Sequence, residues 1–132
     1  MQSGLVRHVG LWGPPVALMA VIFAFSAMPS DSTHHSVVIF VLRKIAHFSE
    51  YALLLALWFR ALRGRLGIDR GLGAAYAIVV AYAATDEFHQ TFVHGRTGTP
   101  RDVLIDAFGA LVAALVIRRV VQRRRVPQPT TG

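Results

Sequence analysis

The side chains that can do chemistry are concentrated in two stretches of the sequence. The first, Ala83 to Gly109, holds four of the chain's seven carboxylates, two histidines and two arginines. The second, Arg43 to Tyr51, holds a further acid, a histidine and two basic residues. Charged groups beside long apolar runs are costly unless they pair with each other or with a ligand. We therefore expect the two stretches to meet and form the functional site.

In the second stretch, Lys44, His47 and Tyr51 follow the spacing i, i+3 and i+7, and Glu50 borders the same face. On a helix this spacing puts an ammonium, an imidazole and a phenol on one side. Such a face favours an anionic head group, with Lys44 as the point charge and His47 as the proton carrier. The alternative is structural: a lysine that snorkels to the interface, a histidine paired with Glu50, and an interfacial tyrosine.

In the first stretch, Asp86 and Glu87 are adjacent, so on a helix they point about 100° apart. We expect one acid to face the bundle and meet Lys44 or Arg96, and the other to face the loop. Gln90 shares a face with Asp86. An interhelical ion pair that only holds the helices together is the alternative.

Arg96 follows a glycine in a predicted turn, where its guanidinium can fork onto a carboxylate or phosphate. It can equally pair with Asp86 or Asp102. The motif Thr99-Pro100-Arg101-Asp102 predicts a helix start with an N-cap, proline at N1 and an acid at N3. Asp106 lies one turn deeper on the face of Asp102. The predicted ligand-binding residues are Lys44, Glu50, Tyr51, Glu87, Gln90, Arg96, Asp102 and Asp106, and the predicted catalytic residues of an enzyme are His47 and Asp86.

A metal site is weighed because His47-x-x-Glu50 and Asp86-x-x-His89 have the i, i+3 spacing of carboxylate sites in four-helix bundles. Lys44 and the arginine after Gly95 would repel a cation, so we expect neither metal nor cofactor. Ser26 is a weak nucleophile candidate, because a serine near a proline at a helix end is more often a cap or a bend.

The elements that must position these residues are apolar helices. The chain has 132 residues, of which 54% are hydrophobic, and a mean hydropathy of +0.48, so we expect one all-α membrane domain. Without cysteine it has no disulfide. The apolar runs predict four transmembrane helices at about 11–28, 38–62, 72–93 and 101–118, followed by a basic tail at 119–132. A signal peptide is the alternative for the first run, although it ends in a poor cleavage site.

The connections are predicted from their polar residues. Ser30 to Ser36 reads as a polar loop, Gly64 to Gly71 as an arginine-bearing turn, and His94 to Pro100 as a turn with two glycines at φ > 0. Gly109 and Ala113 have the small-xxx-small spacing of close helix contacts.

The net charge of +7 is arranged as in a membrane protein rather than a nucleic-acid-binding one, because no aromatic-basic reading motif accompanies it. With four spans, both termini lie on one side. Ten of the fourteen basic residues fall on that side, which predicts cytoplasmic termini and an extracytoplasmic polar cluster. The ten are Arg7, Arg60, Arg63, Arg65, Arg70, Arg118, Arg119, Arg123, Arg124 and Arg125.

In order and spacing, five pieces of the sequence together resemble the VanZ-like family of small membrane proteins. These pieces are Phe25-Ser26-x-x-Pro29, Lys44-x-x-His47-x-x-x-Tyr51, Asp86-Glu87-x-x-Gln90-x-Phe92, Gly95-Arg96 and Asp102-x-x-x-Asp106-x-x-Gly109. The resemblance implies a multi-pass protein of the bacterial plasma membrane. The family takes its name from a protein associated with teicoplanin resistance. Asn is common in the family where this chain has Asp106.

Three functions follow as hypotheses. The first is a non-enzymatic module that binds the anionic head group of an envelope lipid or peptidoglycan precursor, with membrane lipids as its partners. The second is a hydrolase or transferase for a lipid-linked phosphate. There His47 or His89 would be the base, oriented by Asp86, with Lys44 and Arg96 stabilising negative charge. The third, a transporter or flippase subunit, is disfavoured because four short helices leave little room without an oligomer.

Overall fold

A computed structural model of the protein describes residues 2–30 and 36–125. In this part of the chain it contains four α helices and no strand, which confirms the all-α prediction. The helices are α1 (Gln2–Ser26), α2 (Val37–Leu66), α3 (Ile68–Gln90) and α4 (Pro100–Arg125).

The helices are longer than the predicted spans, and the connection between α2 and α3 is shorter than predicted, whereas α3 ends at Gln90, three residues before the predicted end of the third span. The predicted turn at Gly64 to Gly71 reduces to one residue, Gly67, whose φ of 77° links α2 directly to α3. α4 continues through the first half of the predicted basic tail, to Arg125. The central part of the predicted polar loop, 31–35, and the end of the tail, 126–132, lie outside the described residues.

The two middle helices form the centre of the bundle. α2 and α3 pack against each other and both contact α1 and α4, whereas α1 and α4 do not contact each other over the described residues. The phenol of Tyr82 in α3 ties α1 in place by donating a 2.5 Å hydrogen bond to the carbonyl of Met19. The buried apolar core is made by Ile22, Tyr51, Leu54, Leu55, Phe59, Leu72, Ala75, Val79, Ala83 and Ala110.

The surface of the bundle is apolar to an extent unusual for a protein in water. Large apolar side chains are exposed on every helix, among them Val6 at 72%, Phe40 at 59% and Leu104 at 70%. Exposed apolar surface of this extent is typical of contact with a membrane or a partner. By length and composition, one helix within the described residues, Gly4–Ser26, can cross a bilayer, and 17% of its most apolar part is buried.

Candidate functional site

The predicted site residues meet at one end of the bundle, where α1 and α3 end and α2 and α4 begin. The segment 91–99, between α3 and α4, covers this end. The Ser30 amide, which follows α1, donates a hydrogen bond of 3.3 Å to the His94 carbonyl of this segment. The opposite end carries the arginine contacts, including Arg60 to the carbonyl of Gly10 and Arg118 beside Asp69. Acidic and basic groups of three separate helices, α2, α3 and α4, therefore converge, as the sequence predicts.

Asp86 is the centre of a buried hydrogen-bond network on the α1 side of α3. Its side chain is 1% exposed, and its Oδ2 accepts hydrogen bonds from Ser26 Oγ at 2.9 Å, Gln90 Nε2 at 3.2 Å and the Tyr51 hydroxyl at 3.3 Å. Hydrogen bonds to an ionised acceptor are the stronger kind, so these donors offset much of the cost of burying the carboxylate.

Glu87 lies on the other side of α3, facing α4. The side chains of Glu87 and Asp106 are 4% and 1% exposed, and His47 Nδ1 lies 3.6 Å from Asp106 Oδ1. One ligand-capable atom from each of these three residues lies within 4.8 Å of the others. Both acids of the adjacent pair are buried, with Asp86 toward α1 and Glu87 toward α4 and the segment after α3, where Gly98 and Thr99 lie in the same groove lining as Glu87.

The carboxylate beside His47 is therefore not one of the two that the sequence predicts, Glu50 or Asp86. Its ion-pair partner is Asp106 rather than Glu50, and the hydrogen bonds of Asp86 go to other residues, so Asp86 does not orient this imidazole. The alternative base, His89, packs its ring 4.4 Å from that of Phe23.

Lys44 forms an ion pair with Asp102, the first acid of α4. Asp102 also completes the predicted cap: its amide donates to Thr99 Oγ1 at 3.4 Å, and Thr99 Oγ1 donates to its Oδ2 at 3.0 Å. The helix start at Pro100 and the capping role of Asp102 are thereby confirmed. The predicted partnership of Lys44 with Asp86 or its neighbour is wrong, since the ammonium is held at the first turn of α4.

Arg96 binds the end of α1 rather than a carboxylate. Its Nη2 donates to the carbonyl of Phe25 at 3.0 Å and its Nε to the carbonyl of Met28 at 3.2 Å, so it places a positive charge at the carbonyl end of α1. Partial burial, and then the nearby Arg43, lower the pKa of the Arg96 guanidinium from its ordinary value. Two arginines thus share one region, and a negative ligand there would relieve their repulsion.

The glycines of the segment after α3 are needed for two different reasons. Gly95 has a φ of 75°, as predicted, and a β carbon on it would collide with the Ser30 carbonyl. Gly98 does not have positive φ. It is needed because a β carbon there would collide with the carbonyl of Glu87. The absence of a β carbon at both positions lets the segment lie directly against its neighbours at the site.

Two cavities and a groove open around these residues. A polar cavity of ≈ 320 Å³ is lined by Arg43, Lys44, His47, Glu87, Gln90 and Arg96, among others. A second cavity, of ≈ 230 Å³, lies on the α1 side, where Glu50 joins Ser26, Arg43, His47 and Arg96. An apolar groove of ≈ 500 Å³ runs between α3 and α4 and includes Phe88, Val103, Leu104 and the same Glu87.

A scan against known families matches residues 11–122 to the family model described as VanZ/LLP1. The chain belongs to the VanZ/LLP1 family. The matched range contains every residue of the site, so the resemblance predicted from the motifs is confirmed. No curated protein and no solved structure matches the chain. VanZ/LLP1 membership and the apolar helix α1 together indicate association with a membrane.

Three residues of this VanZ/LLP1 site were not among the predicted ligand-binding or catalytic residues. Ser26 donates to Asp86, Arg43 donates to Ser30 Oγ at 3.0 Å and lines both cavities, and Tyr82 anchors α1. Ser26 belongs to the Phe25-Ser26-x-x-Pro29 piece, which was the available signal for it. Arg43 had none beyond its position next to Lys44.

Proposed function

We propose that this chain is a multi-pass membrane protein that binds the anionic head group of an envelope lipid or cell-wall precursor at its extracytoplasmic end. Both termini are then cytoplasmic. Ten of the fourteen basic residues lie on the side of the termini, and an excess of basic residues is typical of the cytoplasmic side. The arginine contacts at the end of the bundle opposite the site agree with this orientation. Exposed apolar side chains on all four helices support contact with lipid over the whole bundle.

The observation that carries the proposal is the cation content of the ≈ 320 Å³ cavity. Arg43, Lys44 and Arg96 all line it, together with the carboxylates of Glu87 and Asp102, so the formal charge of its lining is +1 with a neutral histidine, and the Gln90 amide and the His47 imidazole complete the polar lining. A planar guanidinium suits two phosphate or carboxylate oxygens at once, and an ammonium adds a point charge. A cavity of this chemistry selects a small anionic group.

The apolar groove between α3 and α4 favours a lipid over a free anion. The polar cavity and the groove are adjacent, because Glu87 lines both. A ligand with a charged head and a hydrocarbon chain can occupy both at once, with its chain beside Val103 and Leu104.

The proposal is tested by native mass spectrometry of the full chain, extracted gently in detergent. We expect the wild-type protein to retain an anionic lipid, which the mass identifies. Arg43→Gln and Lys44→Gln should each lower its occupancy several-fold, because each removes a charge from the cavity. Arg96 is a poorer test position, since its contacts with α1 confound binding with folding.

The matched control is Arg63→Gln, which removes the same charge from the same helix about 30 Å away, at ~1.5 Å per residue. It should leave the retained lipid unchanged. Equal lipid occupancy in Arg43→Gln, Lys44→Gln and wild type would refute the head-group site. Phosphate added in solution should not displace the retained lipid, because the hydrocarbon chain makes contacts that phosphate lacks. Displacement of the lipid by phosphate would indicate a site for the free anion.

A second candidate, hydrolysis of a lipid-linked phosphate, is favoured by the position of His47 beside Asp106 at the wall of the same cavity. His47 would take a proton from water as the water oxygen bonds to phosphorus, and would pass that proton to the ester oxygen as its bond to phosphorus breaks. Lys44 and Arg43 would stabilise the developing charge.

His47→Gln separates the two functions. A binding module should keep its lipid with a modest loss of affinity, whereas a hydrolase should lose turnover by ~100-fold or more. Release of phosphate from a lipid-linked phosphate substrate is the measurement. A bound cell-wall precursor would also link occupancy of the cavity to teicoplanin susceptibility, and Lys44→Gln should then abolish any protection that the wild-type chain gives.

A further inference from the structure

The residues on the α4 side of α3 have the composition and spacing of a cation site. His47, Glu87 and Asp106 come from three different helices and offer one imidazole nitrogen and two carboxylate oxygens, all within 4.8 Å of one another. Ligand atoms that share one ion with bonds of ~2.1 Å lie roughly 3.0–4.2 Å apart. Small side-chain rotations bring the three atoms to that spacing.

The hydrogen bonding of this cluster is incomplete. Glu87 Oε2 and Asp106 Oδ2 are buried and have no hydrogen-bond partner, although both side chains are more than nine-tenths buried. The 3.6 Å between His47 Nδ1 and Asp106 Oδ1 is too long for a hydrogen bond, but it is an ordinary distance between two ligands of one ion. Buried carboxylate oxygens without a donor cost free energy unless a charged partner compensates them.

The formal charges point the same way. Glu87 and Asp106 are two buried acids beside one imidazole, and Lys44 and Arg96, the cations expected to repel a metal, each have another partner. Lys44 is paired with Asp102, and Arg96 is turned toward the carbonyls at the end of α1. The repulsion that the sequence predicted for a cation is therefore weakened at the α4 side, where the cluster lies.

From this geometry we propose that His47, Glu87 and Asp106 bind one divalent cation of the Zn²⁺ or Mn²⁺ class. Mixed imidazole and carboxylate ligands suit these ions, and three protein ligands leave coordination positions open. His47 and Glu87 also line the ≈ 320 Å³ cavity, so the open positions face it. The site does not require the proposed lipid. If the lipid binds as proposed, a head-group oxygen completes the coordination.

The test uses the full chain in detergent, with any affinity tag removed, titrated with Mn²⁺ alone. We expect one equivalent to bind, with electron-spin-echo modulation from a histidine nitrogen. Glu87→Gln and Asp106→Asn should each weaken Mn²⁺ binding at least tenfold. Asp69→Asn removes an exposed carboxylate from the same helix as Glu87, at the opposite end of the bundle, and this variant should bind Mn²⁺ like wild type.

The spectroscopic signal is recorded on the wild-type chain, so the proposal stays testable even where a variant fails to fold. Absence of stoichiometric Mn²⁺ binding overturns it, as does bound Mn²⁺ without nitrogen coupling. Equal Mn²⁺ affinity in folded Glu87→Gln and wild type also overturns it. These measurements follow the imidazole nitrogen and the two carboxylates rather than a lipid, so their failure leaves the head-group proposal standing.

Discussion

Gly109 of α4 lies directly against the backbone carbonyl of Phe48 in α2, and a β carbon at residue 109 would stand 2.6 Å from that oxygen. Phe48 follows His47 in the sequence, and Gly109 lies one turn beyond Asp106. The close approach of these two backbones therefore sets the distance between the imidazole and the carboxylate. This contact also confirms the predicted role of Gly109 in helix packing.

The first prediction concerns this contact. Gly109→Ala should lower the free energy of unfolding by about 1–3 kcal/mol, the usual cost of overpacking, because a backbone oxygen cannot move aside alone. The measurement is unfolding in mixed detergent micelles. Gly73→Ala is the control, since nothing lies within 4 Å of a β carbon there, and it should be neutral or stabilising by up to about 1 kcal/mol. Equal effects of the two substitutions would contradict the role of Gly109.

The second prediction concerns the hydrogen bonds of Asp86. Ser26→Ala should lower the free energy of unfolding by about 1.5–3 kcal/mol, because it removes the shortest of three hydrogen bonds to a buried carboxylate. Thr85→Ala removes an exposed hydroxyl that donates to its own helix and should stay within about 0.5 kcal/mol of wild type. A Ser26→Ala protein as stable as Thr85→Ala would show that Asp86 does not depend on Ser26.

The third prediction compares two ion pairs of different exposure. A double-mutant cycle with Lys44→Gln and Asp102→Asn should give a coupling energy of about 1–3 kcal/mol, since the side chains are only 28% and 19% exposed. The same cycle with Arg118→Gln and Asp69→Asn, at 54% and 79% exposure, should give at most about 1 kcal/mol. Unfolding in detergent measures both. A stronger coupling in the exposed pair would contradict the importance of the Lys44 contact.

The fourth prediction tests the proposed orientation. Because the chain has no cysteine, Thr97→Cys and Arg70→Cys each create a single thiol. In intact cells a membrane-impermeant maleimide should label Thr97→Cys and spare Arg70→Cys until the membrane is opened. The reverse pattern would put the site on the cytoplasmic side and refute the proposed topology.

The sequence is sufficient to predict four helices, the start of α4 and the convergence of the charged residues, because each follows from local patterns. Apolar run length, the Thr99 cap and the depth of Asp106 depend on neighbouring residues alone. The pairing of charges was not predictable in the same way. Which carboxylate meets His47 depends on how α2 and α4 rotate and approach, and that is decided by Gly109, about sixty residues from the histidine. Arg96 likewise donates to backbone carbonyls. Every residue has such a carbonyl, so the sequence does not indicate which ones an arginine will contact.

The adjacent acids of α3 serve opposite sides of one helix, and the Gln90 amide donates to both, to Asp86 Oδ2 at 3.2 Å and Glu87 Oε1 at 3.4 Å. Turning α3 about its axis would carry both carboxylates in the same sense, toward one neighbour and away from the other. The two halves of the site therefore cannot be adjusted one at a time. A ligand that moves one carboxylate therefore also changes the hydrogen bond of the other, because the Gln90 amide connects them.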